Sequence, residues 1–145
     1  MRSFSICFML LAGMLLTAGC GSGSSITTYP ISGTVTFKGE AVPKGSITFV
    51  PDTRRDNRGA SVSIDIVDGK FDSSTASRGH VGGPHIVRVV GLDGKSGDEF
   101  FPDGEMLFPD YEVEMDLPSE SSTQTLEVPA DLKFPKRRFQ LGNGA

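Results

Sequence analysis

Apolar side chains recur at every second position along several short stretches of this chain. The stretches are ISGTVTF (31–37), GSITFV (45–50), ASVSIDI (60–66) and YEVEMDL (111–117). A period of two is the signature of a half-buried β-strand, because successive strand side chains point to opposite faces of a sheet. After the N-terminal segment, no stretch repeats apolar residues at helical spacing. We therefore expect an all-β fold.

Turn-forming residues separate these stretches and indicate how they connect. IVDGKF (66–71) predicts a tight hairpin with a type I′ turn at Asp68-Gly69, because both central positions of that turn need positive φ. HIVRVV (85–90) is apolar on both faces except at Arg88, which is typical of a central strand. With STQTLEV (122–128) as a last strand, the spacing predicts a single antiparallel β-sandwich of about seven strands over residues 30–129.

The first nineteen residues have the features of a secretory signal. Arg2 precedes the apolar run ICFMLLAGMLL (6–16). That run is too short to cross a bilayer as a mature helix, but it has the length of the hydrophobic region of a signal peptide. We therefore predict an N-terminal signal helix over 1–19 that takes no part in the folded domain.

The signal ends in LLTAGC (15–20), which resembles the lipobox of bacterial lipoproteins. The resemblance implies cleavage before Cys20, lipid such as palmitate on Cys20, and a protein held on a membrane of the cell envelope, facing the periplasm or the exterior. The alternative is an ordinary signal peptide cut near Ala18 or Gly19. Cys7 leaves with the signal in either case, so the mature chain can form no intramolecular disulfide. The Gly- and Ser-rich segment 20–29 predicts a flexible tether.

A longer resemblance covers the first half of the predicted domain. ISGTVTFKGEAVPKGSITFVPD (31–52), DGKF (68–71) and the glycine-rich approach to HIVRV (85–89) resemble the carboxypeptidase regulatory-like, or transthyretin-like, domain. With the lipobox, the chain resembles small lipoproteins with this one domain, which look typical of planctomycete-type bacteria. The family pattern includes a G-x-Y-x-V strand, which is altered in this chain: Pro84 and His85 precede Ile86, and no tyrosine occurs there. The resemblance implies an Ig-like or transthyretin-like sandwich with an accessory or binding role, and it names no ligand.

The two histidines of the chain, His80 and His85, flank Gly82-Gly83-Pro84. In an extended segment they would lie far apart, unless the glycines reverse the chain and bring them together. A zinc site needs three or four ligands, and in the absence of cysteine Asp72 or Asp93 would have to complete it. One hypothesis is therefore a metal site at His80 and His85. The other is a strand entry whose histidines lie at solvent or cap the loop.

Acidic residues dominate the second half of the domain, since residues 96–132 contain no Lys or Arg. Glu112, Glu114 and Asp116 share the polar face of one predicted strand. They form either a solvated face that guards a sheet edge, or a weak cation site or surface for a basic partner. This balance argues against nucleic acid as a ligand. The tail 130–145 is basic and could pair with this face, with anionic lipid or with wall polymer, or could have no fixed structure.

The segment 91–109 is long for a connection between two strands of a sheet. Its aromatic residues Phe100, Phe101 and Phe108 either close one end of the core or present a patch that binds a protein or a glycan. No Ser, His and Asp constellation or phosphate-binding loop has the required spacing. The sequence therefore predicts a non-catalytic structural or protein-binding module without a cofactor. A metal-handling protein and a carbohydrate-binding accessory module are the alternatives.

Overall fold

The computed structural model describes residues 26–95 and 102–134, and the all-β class predicted from the sequence is confirmed. The signal segment and Cys20 lie outside the described residues, as do the tail beyond residue 134 and the positions Phe100 and Phe101. Two short 3-10 turns, η1 (Thr53–Arg55) and η2 (Ser73–Thr75), interrupt the strands. In the described ranges, no helix has the length and apolar character needed to cross a membrane. The strands are β1 (Ile31–Phe37), β2 (Glu40–Ala41), β3 (Lys44–Pro51), β4 (Val62–Val67), β5 (Lys70–Asp72), β6 (Gly83–Leu92), β7 (Tyr111–Leu117) and β8 (Ser122–Val128).

The strands form one hydrogen-bonded sheet in the order β2-β1-β5-β4-β3-β6-β7, with β8 beside β1. Every pairing is antiparallel except that of β1 with β8, which runs parallel from Ile31↔Ser122 to Phe37↔Val128. Parallel neighbours need a long crossover, and here the six strands between β1 and β8 supply it. The parallel pair departs from the predicted all-antiparallel arrangement.

The inner face of the curled sheet buries a single apolar core. Its side chains come from alternate strand positions, as the period of two predicts. The third predicted strand begins later than expected: Ala60 is exposed, and β4 begins at Val62. One continuous sheet curls around this core, and a sandwich of two separate layers stays a prediction. The buried apolar residues are Ile31, Val35, Val42, Ile47, Phe49, Val62, Ile64, Ile66, Phe71, Val87, Val89, Phe108, Leu117, Leu126 and Val128.

The hairpin between β4 and β5 has the turn that the sequence predicts. Asp68 has φ 50° and Gly69 has φ 73°, the positive values that a type I′ turn requires. The prediction of a central strand at β6 is also confirmed, because β6 pairs with β3 on one side and with β7 on the other. Val87 and Val89 are fully buried on its inner face.

Candidate functional site

A groove opens on the sheet where β4 and β5 separate. The two strands pair only at Val67↔Lys70, beside their turn. Beyond that point β5 follows β1 while β4 follows β3, so the strands diverge. The wedge between them encloses about 550 Å³.

The walls of this groove carry hydroxyl and charged side chains. Its floor is closed by Phe71, whose side chain is buried against Phe49 with ring centroids 5.9 Å apart. Gly33 lies beside that ring, and a Cβ at Gly33 would stand 2.8 Å from Cζ of Phe71, so a side chain there would collide with the floor. The lining residues are Ser32, Gly33, Thr34, Asp65, Val67, Lys70, Phe71, Asp72, Thr75 and Thr123.

The charged residues of the groove are not paired with one another. Among the described residues, Asp65, Lys70 and Asp72 take part in no ion pair. Asp72 accepts a hydrogen bond from the backbone N–H of Ser74 at 2.7 Å, and that bond lowers the pKa of Asp72. Asp65 is exposed and makes no side-chain hydrogen bond to the described part of the chain. The groove therefore presents charged side chains that could form ion pairs with a ligand.

Sequence reasoning missed this groove because its residues come from four strands and a turn. Outward-facing Ser, Thr and Asp residues are ordinary on any solvated strand, and only the divergence of β4 from β5 turns them into a concave surface. The sequence showed polar residues at Ser32 and Thr34 of β1 and at Thr123 of β8. It did not show the parallel register that places Ser32 beside Thr123.

The turn at Gly82-Gly83 brings the two histidines together. Gly82 and Gly83 have φ 75° and 72°, which reverses the chain. The imidazole rings of His80 and His85 lie with centroids 6.0 Å apart and planes inclined at 79°. Each side chain is only 1 % exposed. The histidines therefore do not lie at solvent, because the chain reversal points both rings into the protein. The other form of that hypothesis, in which they cap the loop, agrees with the hydrogen bonds of His80 to Gly82 and of His85 to Gly83.

The hydrogen bonds of the two rings define their proton positions. Nδ1 of His80 accepts from the N–H of Gly82 at 3.0 Å, so the ring proton lies on Nε2. That Nε2 is buried and has no partner with hydrogen-bond geometry among the described residues, although the Glu120 carbonyl faces the ring. Nδ1 of His85 donates to the carbonyl of Gly83 at 2.8 Å, which leaves the lone pair on Nε2.

Burial sets the charge of this pair. Desolvation lowers the pKa of His80, the neighbouring His85 lowers it further, and the Glu120 carbonyl opposes both effects. Desolvation also lowers the pKa of His85, against the Gly83 carbonyl and the Asp116 carboxylate. Both imidazoles are therefore neutral at neutral pH.

The carboxylates predicted as further metal ligands are engaged elsewhere. Asp72 caps η2, and Asp93 accepts from the backbone N–H groups of Lys95 and Glu105, at 3.0 and 3.1 Å. Within the part of the chain that the structure describes, no group of three His, Cys, Asp or Glu side chains could hold a metal ion. The structure brings together His80 and His85 but does not add Asp72 or Asp93 to them.

The acidic face of β7 is neutralised by arginines. Arg88 extends from the neighbouring β6, while Arg54 and Arg55 come from η1. Arg54 also contacts the buried carboxylate of Asp52, and the hydrogen bonds that Arg54 donates to Asp52 and Glu114 raise its pKa. A cation or basic partner would have to displace these arginines. The three ion pairs are Glu112–Arg88 (2.7 Å), Glu114–Arg54 (2.8 Å) and Asp116–Arg55 (3.2 Å).

The described end of the long segment before β7 covers the core. Phe108 is 1 % exposed and packs against Phe37 with ring centroids 4.9 Å apart. The N–H of Leu107 donates to the carbonyl of Gly91 at 2.9 Å and fixes the segment there. Phe108 therefore belongs to the core and offers no ring face to a ligand. This agrees with the alternative in which the aromatic residues close one end of the core.

Comparison of the chain with protein-family models, with curated proteins and with solved structures found no match in any of the three.

Proposed function

We propose that this protein is a lipoprotein of the cell envelope whose β-domain binds another envelope protein and catalyses no reaction. Two features of the sequence support the anchor: the lipobox-like LLTAGC that ends at Cys20, and the Gly- and Ser-rich segment that follows it. Several acyl chains hold a protein on a membrane far more firmly than one. Anchoring of this kind suits a domain that works by contact with neighbours at the same surface.

The groove between β4 and β5 is the observation that carries the binding role. On β7 the exposed carboxylates are paired with arginines. In the groove Asp65 and Lys70 stand without an ion pair to any described residue, beside the exposed Val67. A concave surface with unpaired charges and an exposed apolar side chain can give a protein ligand both polar and apolar contacts.

Metal handling is the second candidate, favoured by the two buried imidazoles 6.0 Å apart. The hydrogen bond from Gly82 to Nδ1 of His80 opposes it, because the proton must then leave Nε2 before that atom can bind a metal. Elemental analysis of protein purified without chelator tests this role. Stoichiometric metal that disappears when His80 and His85 are both changed to Ala would establish it in place of the first proposal.

Site-specific photo-crosslinking in intact cells tests the binding role. A photoreactive residue at Val67, which is 52 % exposed and lines the groove, should crosslink to one defined envelope protein. The matched control carries the same residue at Met106, which is 44 % exposed and lies outside the groove. The Val67 product should disappear when Asp65→Lys is added. Equal products from both positions, or none from Val67, would contradict the proposal.

A further inference from the structure

We infer that two copies of this chain pair edge to edge through β8, so that the sheet of one copy continues into the sheet of the other. This inference goes beyond the proposed function, because it concerns a surface other than the groove and a second copy of the chain as partner. Among the described strands, β8 pairs only with β1, and its other side is open. An open strand edge is a template for pairing with another strand.

Three contacts show which backbone groups of β8 face β1. The N–H of Ser122 donates to the carbonyl of Pro30 at 3.1 Å. The carbonyl of Leu126 accepts from Oγ1 of Thr36 at 3.5 Å, and the carbonyl oxygen of Gln124 also lies against β1. The even-numbered residues of β8 therefore direct their backbone groups towards β1.

The residues between them direct their backbone groups to the open edge, because successive strand residues point to opposite sides of the strand. They are Thr123, Thr125 and Glu127, and their side chains are exposed on the outer face of the sheet. In the described ranges, no backbone hydrogen bond outside the strand ladders reaches any of the three. Each therefore offers one N–H and one C=O to an added strand.

These three residues are arranged so that the edge is complementary to itself. When two copies pair antiparallel with Thr125 opposite Thr125, Thr123 of each copy lies opposite Glu127 of the other, and all seven residues of β8 are paired. Each of these opposed pairs exchanges two backbone hydrogen bonds. Threonine opposite threonine, or opposite glutamate, can also form a hydrogen bond between side chains, and no like charges meet.

The edge of β7 has the opposite character. The carbonyl of Pro84 in β6 accepts from the N–H of Asp52 and so faces β3, and Asp116 of β7, which opposes Pro84, directs its backbone groups away from β6. By alternation, Glu114 and Glu112 do the same. Self-pairing of β7 would place an acid opposite an acid at each of these positions, and like charges directly opposite destabilise a strand pair.

A mixed pair of β8 with β7 is also less favourable than β8 with itself. With Thr125 opposite Glu114, Glu127 would meet Glu112, which is a pair of like charges. Such a pair would also leave one edge open on each copy, whereas the two-fold pair through β8 closes as a dimer. The second copy therefore fits β8 better than any other edge of the described sheet fits it.

The proposed lipid anchor favours this dimer. A pair of seven-residue strands buries less than the roughly 1,000 Å² of a stable interface, so it is weak between free molecules. Copies anchored on one membrane have a higher effective concentration. With the two-fold axis along the membrane normal, both copies lie at the same height, and the tether 21–29 can span about 30 Å when extended.

Disulfide crosslinking of the full chain in intact cells tests the inference. Thr125→Cys places a thiol at the two-fold axis, where the opposed Cα atoms would lie about 5.5 Å apart, within the range of a disulfide. Mild oxidation with copper phenanthroline should convert this variant to a covalent dimer. Thr34→Cys, on β1 directly beside Thr125 and exposed on the same face, is the matched control and should give no dimer.

Coexpression of two variants with different tags tests the register. A copy with Thr123→Cys should crosslink to a copy with Glu127→Cys, because these positions are directly opposed. Thr123→Cys by itself should give no dimer, since the two thiols would lie four residues apart along the paired strands, or about 13 Å.

Two substitutions at Thr125 test the pairing, with the crosslink from Thr123→Cys to Glu127→Cys measured at low yield, where the product follows the dimer population. Thr125→Lys places two lysines opposite each other and should lower the product about fivefold. Thr125→Pro removes both backbone hydrogen bonds at the axis and should lower it about thirtyfold. Proline is tolerated there because that N–H makes no bond to β1.

No dimer from Thr125→Cys, or as much dimer from Thr34→Cys, would overturn the inference. Dimer from Glu114→Cys with none from Thr125→Cys would overturn it by placing the contact on β7. A Thr125→Cys crosslink that forms only after the chain is truncated behind Phe134 would overturn it by showing that the tail occupies the edge. The cysteine variants decide the question even if Thr125→Pro does not fold.

Discussion

At the scale of single residues, the buried histidine pair couples folding to pH. His80 faces His85, Tyr29 and the Glu120 carbonyl, while His85 faces the Gly83 carbonyl and Asp116. Both histidines have a pKa below the ordinary 6.5, mainly because burial disfavours the charged ring. Between the ordinary pKa and the lowered one, the unfolded chain binds protons that the folded chain does not.

The free energy of unfolding should therefore be constant above about pH 6.5 and fall as the pH decreases below it. The slope should reach at most about 1.4 kcal/mol per pH unit for each histidine. Asp52, Asp72 and Asp93 have a pKa lowered from 3.8. Their contribution to the free energy of unfolding is therefore lost only at a more acidic pH than that of the histidines. Urea unfolding followed between about pH 7 and about pH 5 measures the effect.

The double variant His80→Gln, His85→Gln provides the control for this prediction. It should be less stable at neutral pH, because glutamine does not fill the space of either ring. Its free energy of unfolding should nevertheless be nearly independent of pH in the same interval. A slope that persists in the double variant would assign the effect to other groups.

Cys20 carries the second prediction at this scale. Cys20→Ser should abolish labelling by a fatty-acid analogue and move the protein from the membrane to the soluble fraction, because serine has no thiol to accept the lipid. Cys7→Ser, which changes the other cysteine of the chain, should leave labelling intact. Label that survives Cys20→Ser would rule out the predicted anchor.

At the scale of elements, turns and cross-strand pairs decide the arrangement of the sheet. β4 and β5 pair at one position, Val67↔Lys70, which flanks the type I′ turn at Asp68-Gly69. The turn therefore sets where the groove opens. On β7, each outward carboxylate meets an arginine from β6 or η1. Exposed ion pairs of this kind contribute about 0.2–1 kcal/mol each, so they add little to the stability of the fold.

Gly69→Ala should destabilise the hairpin by about 1–2 kcal/mol, because alanine is strained at positive φ. Its Cβ would also stand 2.6 Å from Cβ of Ala41, closer than side chains tolerate. Asp68→Asn is the matched control at the neighbouring turn position, and asparagine tolerates positive φ, so stability should stay within about 0.5 kcal/mol. Thermal unfolding of the two variants measures the difference, and equal melting temperatures would contradict the role of the turn.

At the scale of the whole molecule, the segment before β7 closes the core. Phe108 packs on Phe37 and lies against Gly91, where an added Cβ would stand 2.5 Å from its ring. Nearby, Asp93 accepts the N–H groups of Lys95 and Glu105, and the first of these bonds is the main cause of its lowered pKa. The described part of this segment is thus tied to the sheet by backbone bonds and by one buried ring.

Phe108→Ala should destabilise the domain by about 3–5 kcal/mol, because it removes a buried ring and leaves a cavity. Met106→Ala changes an exposed side chain of the same segment and should alter stability by no more than about 0.5 kcal/mol. Chemical unfolding of both variants provides the measurement. Similar losses for the two would show that the segment does not act as core cover.

Local patterns predicted much of the fold but little of the candidate site. Period-two alternation in β1, β3, β4 and β7 identified strands and their buried faces, and Asp68-Gly69 identified the hairpin turn. The alternation does not say which strands are neighbours, so the parallel pairing of β1 with β8 was missed. The histidines could be placed beside a reversing turn, but whether their rings pointed to water or to the core could not be decided.

The sequence by itself determined the all-β class, the strand faces and the β4–β5 turn, because each follows from residues adjacent in the chain. Only the tertiary structure decided that His80 and His85 are buried, that arginines neutralise Glu112, Glu114 and Asp116, and that β4 and β5 part to form a groove. These features join residues far apart along the chain. Their contacts depend on strand order and register, which the packing of the whole core selects.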